Sequence, residues 1–373
     1  MGVTTEAYVA RESGLKLEEV HYADLASHEL LVDIVSVSAC HSDVRAAEGT
    51  FRLARPLVLG HEGAGYVKEV GSSVTYVKPG DAVVLSYTSC GKCKRCLSGK
   101  QPYCDSIGEL NFSGRREDGS RPVKDEDGNE INGLFFGQSS MSRVALVHEN
   151  SAVKLDCSKE DLRLFAPLAC GIQTGAGAIS NVARPPIGSS IAVWGGGAVG
   201  LSAIMAAKLT SPACLVLIDN SEAKLATIAQ ELLKGVHIIN SSDLKAGSVA
   251  NKLRGLSPDG QGMDYALDCV GNEAVVIEAH DSLTMLGTLI TCGSSATATA
   301  GFKLVSQLAK GITYRGTHQG DSVPRVMIPH LISLWRQGLF PFDKLLTTFA
   351  FEDLAKALEE THAGRAIKPL LLL

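Results

Sequence analysis

The stretch Ile191-Ala192-Val193-Trp194-Gly195-Gly196-Gly197-Ala198-Val199-Gly200 decides the fold. Its first four residues form a compact apolar run, which is typical of a buried strand. A glycine cluster follows, and from Ala198 small and apolar residues continue at helical spacing to Leu209. The stretch therefore predicts a strand, a tight glycine turn and a helix that packs closely on the strand.

The same alternation continues towards the C-terminus. Apolar runs predict strands at 215–218, 265–268 and 288–291, and periodic apolar spacing predicts helices at 222–234 and 273–286. Strands that alternate with helices at this pitch lie parallel and are joined by right-handed crossovers. We therefore predict an α/β fold with a Rossmann-type doubly wound parallel sheet.

The first third of the chain has a different pattern. Short runs rich in β-branched residues, at 30–37, 65–70 and 82–85, are separated by turn residues. Closely spaced strands of this kind indicate a small barrel or sandwich. The charged, glycine-rich segment 114–133 is expected to be a surface loop without a fold of its own, and helices are predicted at 323–337 and 352–363.

Bulk properties narrow the class of protein. A chain of 373 residues is too long for one ordinary core and indicates two or three domains. The net charge of -5 argues against a nucleic acid or an anionic membrane as the main partner. Because residues 1–6 lack the basic and apolar regions of a secretory signal and no apolar run could cross a bilayer, we expect a cytoplasmic protein.

The glycine cluster predicts a dinucleotide site. Gly195 permits a tight turn, Gly197 lets the backbone approach a pyrophosphate, and Gly200 allows close packing of helix on strand. Asp219 ends the next strand, where a carboxylate binds ribose hydroxyls and repels a 2′-phosphate, and Lys224 lies within reach. NAD is therefore favoured over NADP. The alternatives are glycines that serve only the turn and an Asp219 that only caps a helix.

Four of the ten cysteines are clustered in the C-x2-C-x2-C-x7-C spacing of a tetrahedral zinc site, at Cys90, Cys93, Cys96 and Cys104. With four protein ligands the metal has no open position, so this zinc is expected to be structural. A disulfide or redox pair is one alternative. A nucleic-acid-binding zinc ribbon is another, but the acidic chain offers it no basic surface.

Two further stretches, Cys40-His41-Ser42-Asp43 and the run from Gly60-His61-Glu62 to Gly65, carry a family resemblance. Together with the four-cysteine cluster, Cys170-Gly171 and the glycine motif, they resemble the medium-chain zinc-dependent alcohol dehydrogenases in their order over nearly the whole chain. The resemblance implies a mainly β, GroES-like catalytic domain at 1–171 and 315–373 and an NAD-binding domain at 172–314.

The resemblance also implies a second, catalytic zinc. Cys40, His61 and Cys170 would bind it and leave one position open, with Glu62 as an occasional ligand and Asp43 fixing the His61 tautomer. Taken singly, each of these cysteines is more often a small buried residue and the histidine a structural one.

Other roles follow from the resemblance alone. Ser42 would contact the substrate oxygen and begin the proton path, while Arg45 stands where many relatives have a proton-passing histidine and cannot act as a base. The remaining residues implied to contact the cofactor are His41, Thr174, Val199, Cys292, Gly293, Ser294 and Lys368.

The implied activity is the reversible oxidation of primary alcohols to aldehydes. The stretch 133–140 is similar to the aryl and allylic alcohol branch, and the expected pocket residues are Tyr87, Leu110, Phe112, Phe135, Phe136 and Ser294. A glutathione-adduct dehydrogenase, with a cationic pocket built from Arg115, Arg116 and Arg121, is one alternative, and a non-catalytic zinc and NAD binder is another. A homodimer is expected, with a tetramer left open.

Overall fold

The computed structural model describes residues 2–51, 53–245, 247–295 and 297–373. Within them the strands are β1 Thr4–Arg11, β2 Gly14–Tyr22, β3 Glu29–Ser38, β4 Leu57–Val58, β5 Gly63–Val70, β6 Ala82–Leu85, β7 Val123–Asp125, β8 Glu130–Ile131, β9 Val144–His148, β10 Ala152–Leu155, β11 Ser190–Trp194, β12 Cys214–Asp219, β13 His237–Asn240, β14 Met263–Asp268, β15 Leu283–Thr291, β16 Thr313–Gly316, β17 Leu346–Ala350 and β18 Lys368–Leu372. The α-helices are α1 His41–Ala47, α2 Lys94–Leu97, α3 Ile107–Phe112, α4 Lys159–Phe165, α5 Gly171–Gly177, α6 Ala198–Lys208, α7 Glu222–Thr227, α8 Gln230–Leu233, α9 Ser248–Leu256, α10 Glu273–Asp281, α11 Leu304–Lys310, α12 Pro324–Arg336 and α13 Leu354–His362.

Six strands form one parallel sheet in the order β13-β12-β11-β14-β15-β16, as the alternating pattern predicts. The strand order reverses beside β11, which is the first strand of this sheet in the chain. In open parallel sheets, ligands bind at the carboxyl ends of the strands where the order reverses. The glycine turn follows β11 directly, so it lies at this point.

Two of the predicted helices are wrong in extent. The helix predicted at 222–234 is broken into α7 and α8, because Ile228 and Ala229 adopt extended ψ values of 128 and 127. At the end of α7 the Thr227 hydroxyl donates to the carbonyl of Ala223, one turn back, and to that of Gly364, which is distant in the chain. The helix predicted at 273–286 ends at Asp281, since Leu283 already pairs with Met263 as the first residue of β15.

The remaining strands form two antiparallel-rich sheets from both ends of the chain. One has the order β4-β1-β2-β7-β8, and the other has β10-β6-β5-β3-β18-β17, with β9 on β3. The segment 114–133, to which the sequence assigned no fold, contributes β7 and β8: Val20 pairs with Asp125, and Asp125 accepts bonds from Arg11 and Asn129. Strand β18 follows the parallel sheet in the chain, and it pairs with β3.

Among the residues described, no helix is both long and apolar enough to cross a membrane.

Candidate active site

The four clustered cysteines converge as their spacing predicts. The sulfur atoms of Cys90, Cys93, Cys96 and Cys104 lie within 4.8 Å of one another, and these cysteines are not in disulfides. Backbone amides point at three of the sulfurs, with N–Sγ distances of 3.3 Å (Cys90 to Cys104), 3.3 Å (Cys93 to Cys90) and 3.4 Å (Cys96 to Cys93). The amide of Cys96 lowers the pKa of Cys93 to about 7. Four convergent sulfurs, three of which accept backbone amides, fit a tetrahedral zinc ion.

A second group of potential ligands is buried between distant segments. Cys40 precedes α1, His61 follows β4, and Cys170 precedes α5, and their donor atoms also lie within 4.8 Å of one another, together with a Glu62 oxygen. The His61 Nε2 atom is buried and has no hydrogen-bond partner. Because a buried polar atom is costly to leave unpaired, this nitrogen fits a metal ion bound between the two sulfurs.

Asp43 holds two of these segments together. Its carboxylate accepts bonds from the backbone amides of Cys40 and Gly60, both at 3.0 Å, and its Oδ1 atom lies 3.1 Å from His61 Nδ1. A carboxylate at Nδ1 keeps the proton there and leaves Nε2 free as a donor to a metal. Asp43 itself is 2% exposed, so water does not compete for its contact with His61.

Glu62 and Lys368 form a buried ion pair beside the ligands, with 2.6 Å between Oε2 and Nζ. Burial raises the pKa of Glu62 to about 7, an effect that the Lys368 charge opposes. Lys368 also donates to the carbonyl of Ala39, at 3.3 Å. The sequence expectation placed this lysine on a pyrophosphate. In this structure Lys368 lines the cofactor-sized cleft, but its ammonium group is bonded to Glu62.

A cleft of about 710 Å³ is lined by Cys40 and by Gly171, the residue after Cys170. The sequence-predicted residues that line it are Cys40, His41, Gly197, Val199, Gly200, Lys224 and Lys368. At one side, Asp219 accepts bonds from the Gly196 amide at 2.6 Å and from Lys224 Nζ at 3.1 Å. Ser221, not Asp219, caps α7, which removes the helix-cap alternative for Asp219.

The other predicted residues, Thr174, Cys292, Gly293, Ser294 and Ser42, are not among those that line this cleft. Thr174 lies one turn into α5 and donates to the carbonyl of Cys170, at 2.8 Å. Cys292, Gly293 and Ser294 follow the carboxyl end of β15, and Ser42 lies in α1 between Cys40 and Asp43 in the chain. Arg45 Nη1 donates to Ser294 Oγ at 3.2 Å, so α1 and the segment after β15 are in contact.

Aromatic side chains cover the imidazole of His61. The Phe136 ring is stacked on it with 4.5 Å between centroids, and the Phe135 ring meets it edge-on at 5.5 Å. Phe112 packs edge-on against Phe136. Phe136 has a φ of 53, in the left-handed region that favours glycine, so its position is maintained against local strain.

The aromatic cluster around His61 differs in two residues from the substrate pocket expected from the sequence. Phe51 packs against Phe112 and Phe135, with centroids 5.4 and 5.6 Å apart, and belongs to the cluster although an isolated aromatic in a loop gives no signal. Leu110 instead lines a separate cavity, together with Arg115 and Arg116, which shares no residue with the cofactor-sized cleft.

Known proteins resemble this chain in sequence and structure. Residues 26–156 match the alcohol dehydrogenase GroES-like domain, and residues 198–334 match the zinc-binding dehydrogenase family. A geraniol dehydrogenase of Castellaniella defragrans is 37% identical, over 99% of this chain and 98% of that protein. A zinc-binding alcohol dehydrogenase domain protein of Burkholderia ambifaria superposes with a TM-score of 0.92 at 38% identity, over 100% of both chains. The benzyl alcohol dehydrogenase of Acinetobacter calcoaceticus gives a TM-score of 0.89 at 32% identity, over 100% of this chain and 99% of that one.

The chain belongs to the zinc-dependent, medium-chain alcohol dehydrogenase family. It combines the family's GroES-like domain with a Rossmann-type domain, as the sequence predicts. It is an oxidoreductase that acts on the CH–OH group of alcohols, with zinc and NAD as cofactors. Membership of this enzyme family excludes the alternative of a non-catalytic zinc and NAD binder.

Proposed function

We propose that this dehydrogenase oxidises primary aryl or allylic alcohols to aldehydes, and that the predicted residues perform the reaction. Cys40, His61 and Cys170 would hold the catalytic zinc, and the four-cysteine cluster would hold a structural one. The observation that carries the substrate class is the aromatic cluster around His61, in which Phe136 is stacked 4.5 Å from the imidazole. Flat, apolar walls beside the reacting centre favour flat, apolar substrates.

The bound groups supply the driving chemistry: zinc is a Lewis acid towards the alcohol oxygen, and NAD is the hydride acceptor. The residues of the chain orient the reacting groups and exclude water. Asp43 keeps the proton of His61 on Nδ1, from a distance of 3.1 Å. The buried phenylalanines keep water from the carbon that loses hydride. Asp219, beside the Gly196 amide, would accept the ribose hydroxyls of NAD.

Ser42 is the proposed proton acceptor from the substrate hydroxyl. It lies in α1, two residues after Cys40, and its side chain is half-buried. Arg45, one turn further along α1, carries a guanidinium group that cannot act as a base, and it donates to Ser294 Oγ. We therefore infer that the proton leaves Ser42 without the help of a basic side chain at position 45.

The glutathione-adduct alternative requires free cations near the centre. Arg116 is bonded to Glu29 at 2.7 Å, and Arg121 lies 3.6 Å from Glu130. Arg115 and Arg116 line the separate cavity instead of the cofactor cleft. These pairings disfavour an anionic peptide substrate. The names of two similar proteins, a geraniol and a benzyl alcohol dehydrogenase, support the aryl or allylic class.

A panel of benzyl alcohol, cinnamyl alcohol, geraniol, ethanol and S-(hydroxymethyl)glutathione, each with NAD and with NADP, tests the proposal. We expect kcat/KM with NAD to be at least about 10-fold higher for the first three than for ethanol, since each buried apolar group adds roughly 1 kcal/mol or more. Phe112→Leu should reduce that preference, whereas Phe302→Leu, a change in the aromatic contact with His280 of the parallel-sheet domain, should not. A preference for the glutathione adduct or for NADP would contradict the proposal.

We further infer a cytoplasmic homodimer with domain bounds at 171 and 314. Strand β16 is an edge of the parallel sheet, and its four residues are exposed. Beside it in the chain, α11 exposes Leu304, Val305 and Leu308 by 84%, 71% and 84%. An exposed edge strand with apolar neighbours favours pairing with a second copy. Analytical ultracentrifugation should give a dimer, and Leu308→Glu should give a monomer.

A further inference from the structure

We infer that Gln319 is a positioning residue for the sulfur of Cys170. This inference rests on the proposed role of Cys170 as a zinc ligand. The Gln319 side chain is buried against α5, where its Oε1 atom faces Gln173, and its Nε2 atom lies 3.7 Å from Cys170 Sγ. An amide N–H at this distance donates to a sulfur and stabilises its anionic form.

The orientation of the Gln319 amide is fixed by a chain of bonds that begins at a backbone carbonyl. The Ala169 carbonyl can only accept, and the Gln173 Nε2 group donates to it. The same Nε2 group also lies 2.8 Å from Ser86 Oγ and faces Gln319 Oε1 at 3.3 Å, which places the oxygen of the Gln319 amide, not its NH2 group, on that side. The Nε2 group of Gln319 is then directed towards the Cys170 sulfur, because reversing the amide would bring two donors together.

The backbone around Gln319 is strained in a way that serves this contact. Gln319, Gly320 and Asp321 have φ values of 54, 61 and 51, in the left-handed region that favours glycine. Only Gly320 is a glycine, and a Cβ there would lie 2.4 Å from the carbonyl oxygen of Thr174. The backbone at 319–321 therefore packs directly against α5, one helical turn from Cys170. Strain of this kind persists only where surrounding contacts fix the backbone.

Asp321 supplies the contacts that fix the other end of the turn. Its buried carboxylate accepts bonds from the Tyr103 hydroxyl at 2.7 Å and the Thr317 hydroxyl at 2.8 Å, and it pairs with Arg315. Tyr103 directly precedes Cys104 of the four-cysteine cluster. The three-residue turn thus has one end on the proposed structural metal lobe and the other on a ligand of the proposed catalytic centre.

The test uses three variants that separate the amide from the turn. Gln319→Asn keeps an amide and tolerates the left-handed backbone, but it is one methylene too short to reach the sulfur. Gln319→Glu keeps the length and removes the donor. Thr317→Val is the matched control, since it loosens the Asp321 anchor without changing the Gln319 side chain.

Each protein is loaded with Co²⁺, and its sulfur-to-cobalt absorption is compared with that of the wild type, so that the four-cysteine contribution cancels. Loss of a hydrogen bond raises the energy of the sulfur electrons, so Gln319→Asn and Gln319→Glu should move the band to longer wavelength. They should also release zinc to a chelator about 10-fold faster or more, with KM for NAD unchanged. Thr317→Val should resemble the wild type in all three measurements.

Two results would overturn the inference. Wild-type bands and zinc release in both Gln319 variants would mean that the amide does not act on the sulfur. An equal shift in Thr317→Val would assign the effect to the turn. A Cys170→Ser enzyme, measured alongside, separates the two proposals: if its cobalt spectrum matches that of the wild type, the ligand assignment itself is wrong.

Discussion

The two cysteine sites of this enzyme are built in opposite ways. The four-cysteine cluster comes from one segment of 15 residues, 90–104, and its sulfurs are held by the backbone amides of the same segment. The group around Cys40 comes from three segments far apart in the chain, and a carboxylate, a buried ion pair and an amide hold it in place. The first group offers four equivalent ligands, and the second offers three with a carboxylate nearby.

The difference shows what each site needs from the fold. A closed site is specified by local spacing and needs only a turn that brings four sulfurs together. A site with an open position needs three ligands from elements that leave the fourth position free. The same elements must also leave room for a substrate. Here those elements are α1, α5 and β18, and residues at the start of each, His41, Gly171 and Lys368, line the cleft.

The largest expected effect is loss of the open site. In Cys170→Ser, one of two zinc ions should be lost and kcat/KM should fall by at least about 10³-fold, because a Lewis acid contributes several kcal/mol to catalysis. Metal analysis measures the zinc content, and alcohol kinetics measure kcat/KM. Cys157→Ser, a half-buried cysteine outside both groups, is the control and should keep its metal and activity. Full activity in Cys170→Ser would remove the distinction between the sites.

Loss of the closed site should act on stability instead. Cys93→Ser should release the other zinc and lower the free energy of unfolding by about 3 kcal/mol or more, since removal of a structural metal is among the largest single-site effects. Urea unfolding with metal analysis measures this, and the folded fraction should keep most of its kcat. A loss of kcat as large as in Cys170→Ser, at unchanged stability, would show that both sites are catalytic.

A smaller effect is expected from the carboxylate behind His61. Asp43→Asn keeps the shape but removes the charge at Nδ1, so zinc affinity or kcat should fall about 10- to 100-fold. Competition with a chelator and steady-state kinetics measure the change. Asp33→Asn, an exposed carboxylate on the neighbouring strand β3, serves as the control. Equal behaviour of the two variants would mean that the open site does not depend on its outer contacts.

The smallest effect tests the link between the two sites. Tyr103→Phe removes the 2.7 Å bond to Asp321 and should lower the free energy of unfolding by about 1 kcal/mol. Tyr314→Phe, an exposed tyrosine of β16, should change it by less. Urea unfolding compares the two variants, and an unchanged Tyr103→Phe would show that the structural lobe is not anchored to the turn.

The same contrast explains what the sequence could predict. The parallel sheet and the four-cysteine cluster follow from local patterns, namely apolar runs separated by helical periods and cysteines at fixed spacing. Cys40, His61 and Cys170 have no local pattern of their own, and only the family resemblance brought them together. The loop strands β7 and β8 were missed because their residues are mostly polar and their pairing with β2 is long-range.

Other features left no trace in the sequence. The break at Ile228 lies beside a bond from Thr227 to the distant carbonyl of Gly364. Phe51 and Gln319 are single residues in irregular segments, and their contacts arise only when three or more elements pack together. The ion pair of Lys368 with Glu62 likewise depends on where β18 joins β3.

The position of β18 has a consequence for biosynthesis. This strand lies between β3 and β17 and delivers Lys368 to Glu62, yet it is translated after every strand of the parallel sheet. The parallel sheet can therefore assemble while the ribosome is still translating, whereas the GroES-like domain remains an open half until residues 368–372 emerge. A nascent chain would thus have a nucleotide-binding half before it has a finished metal centre.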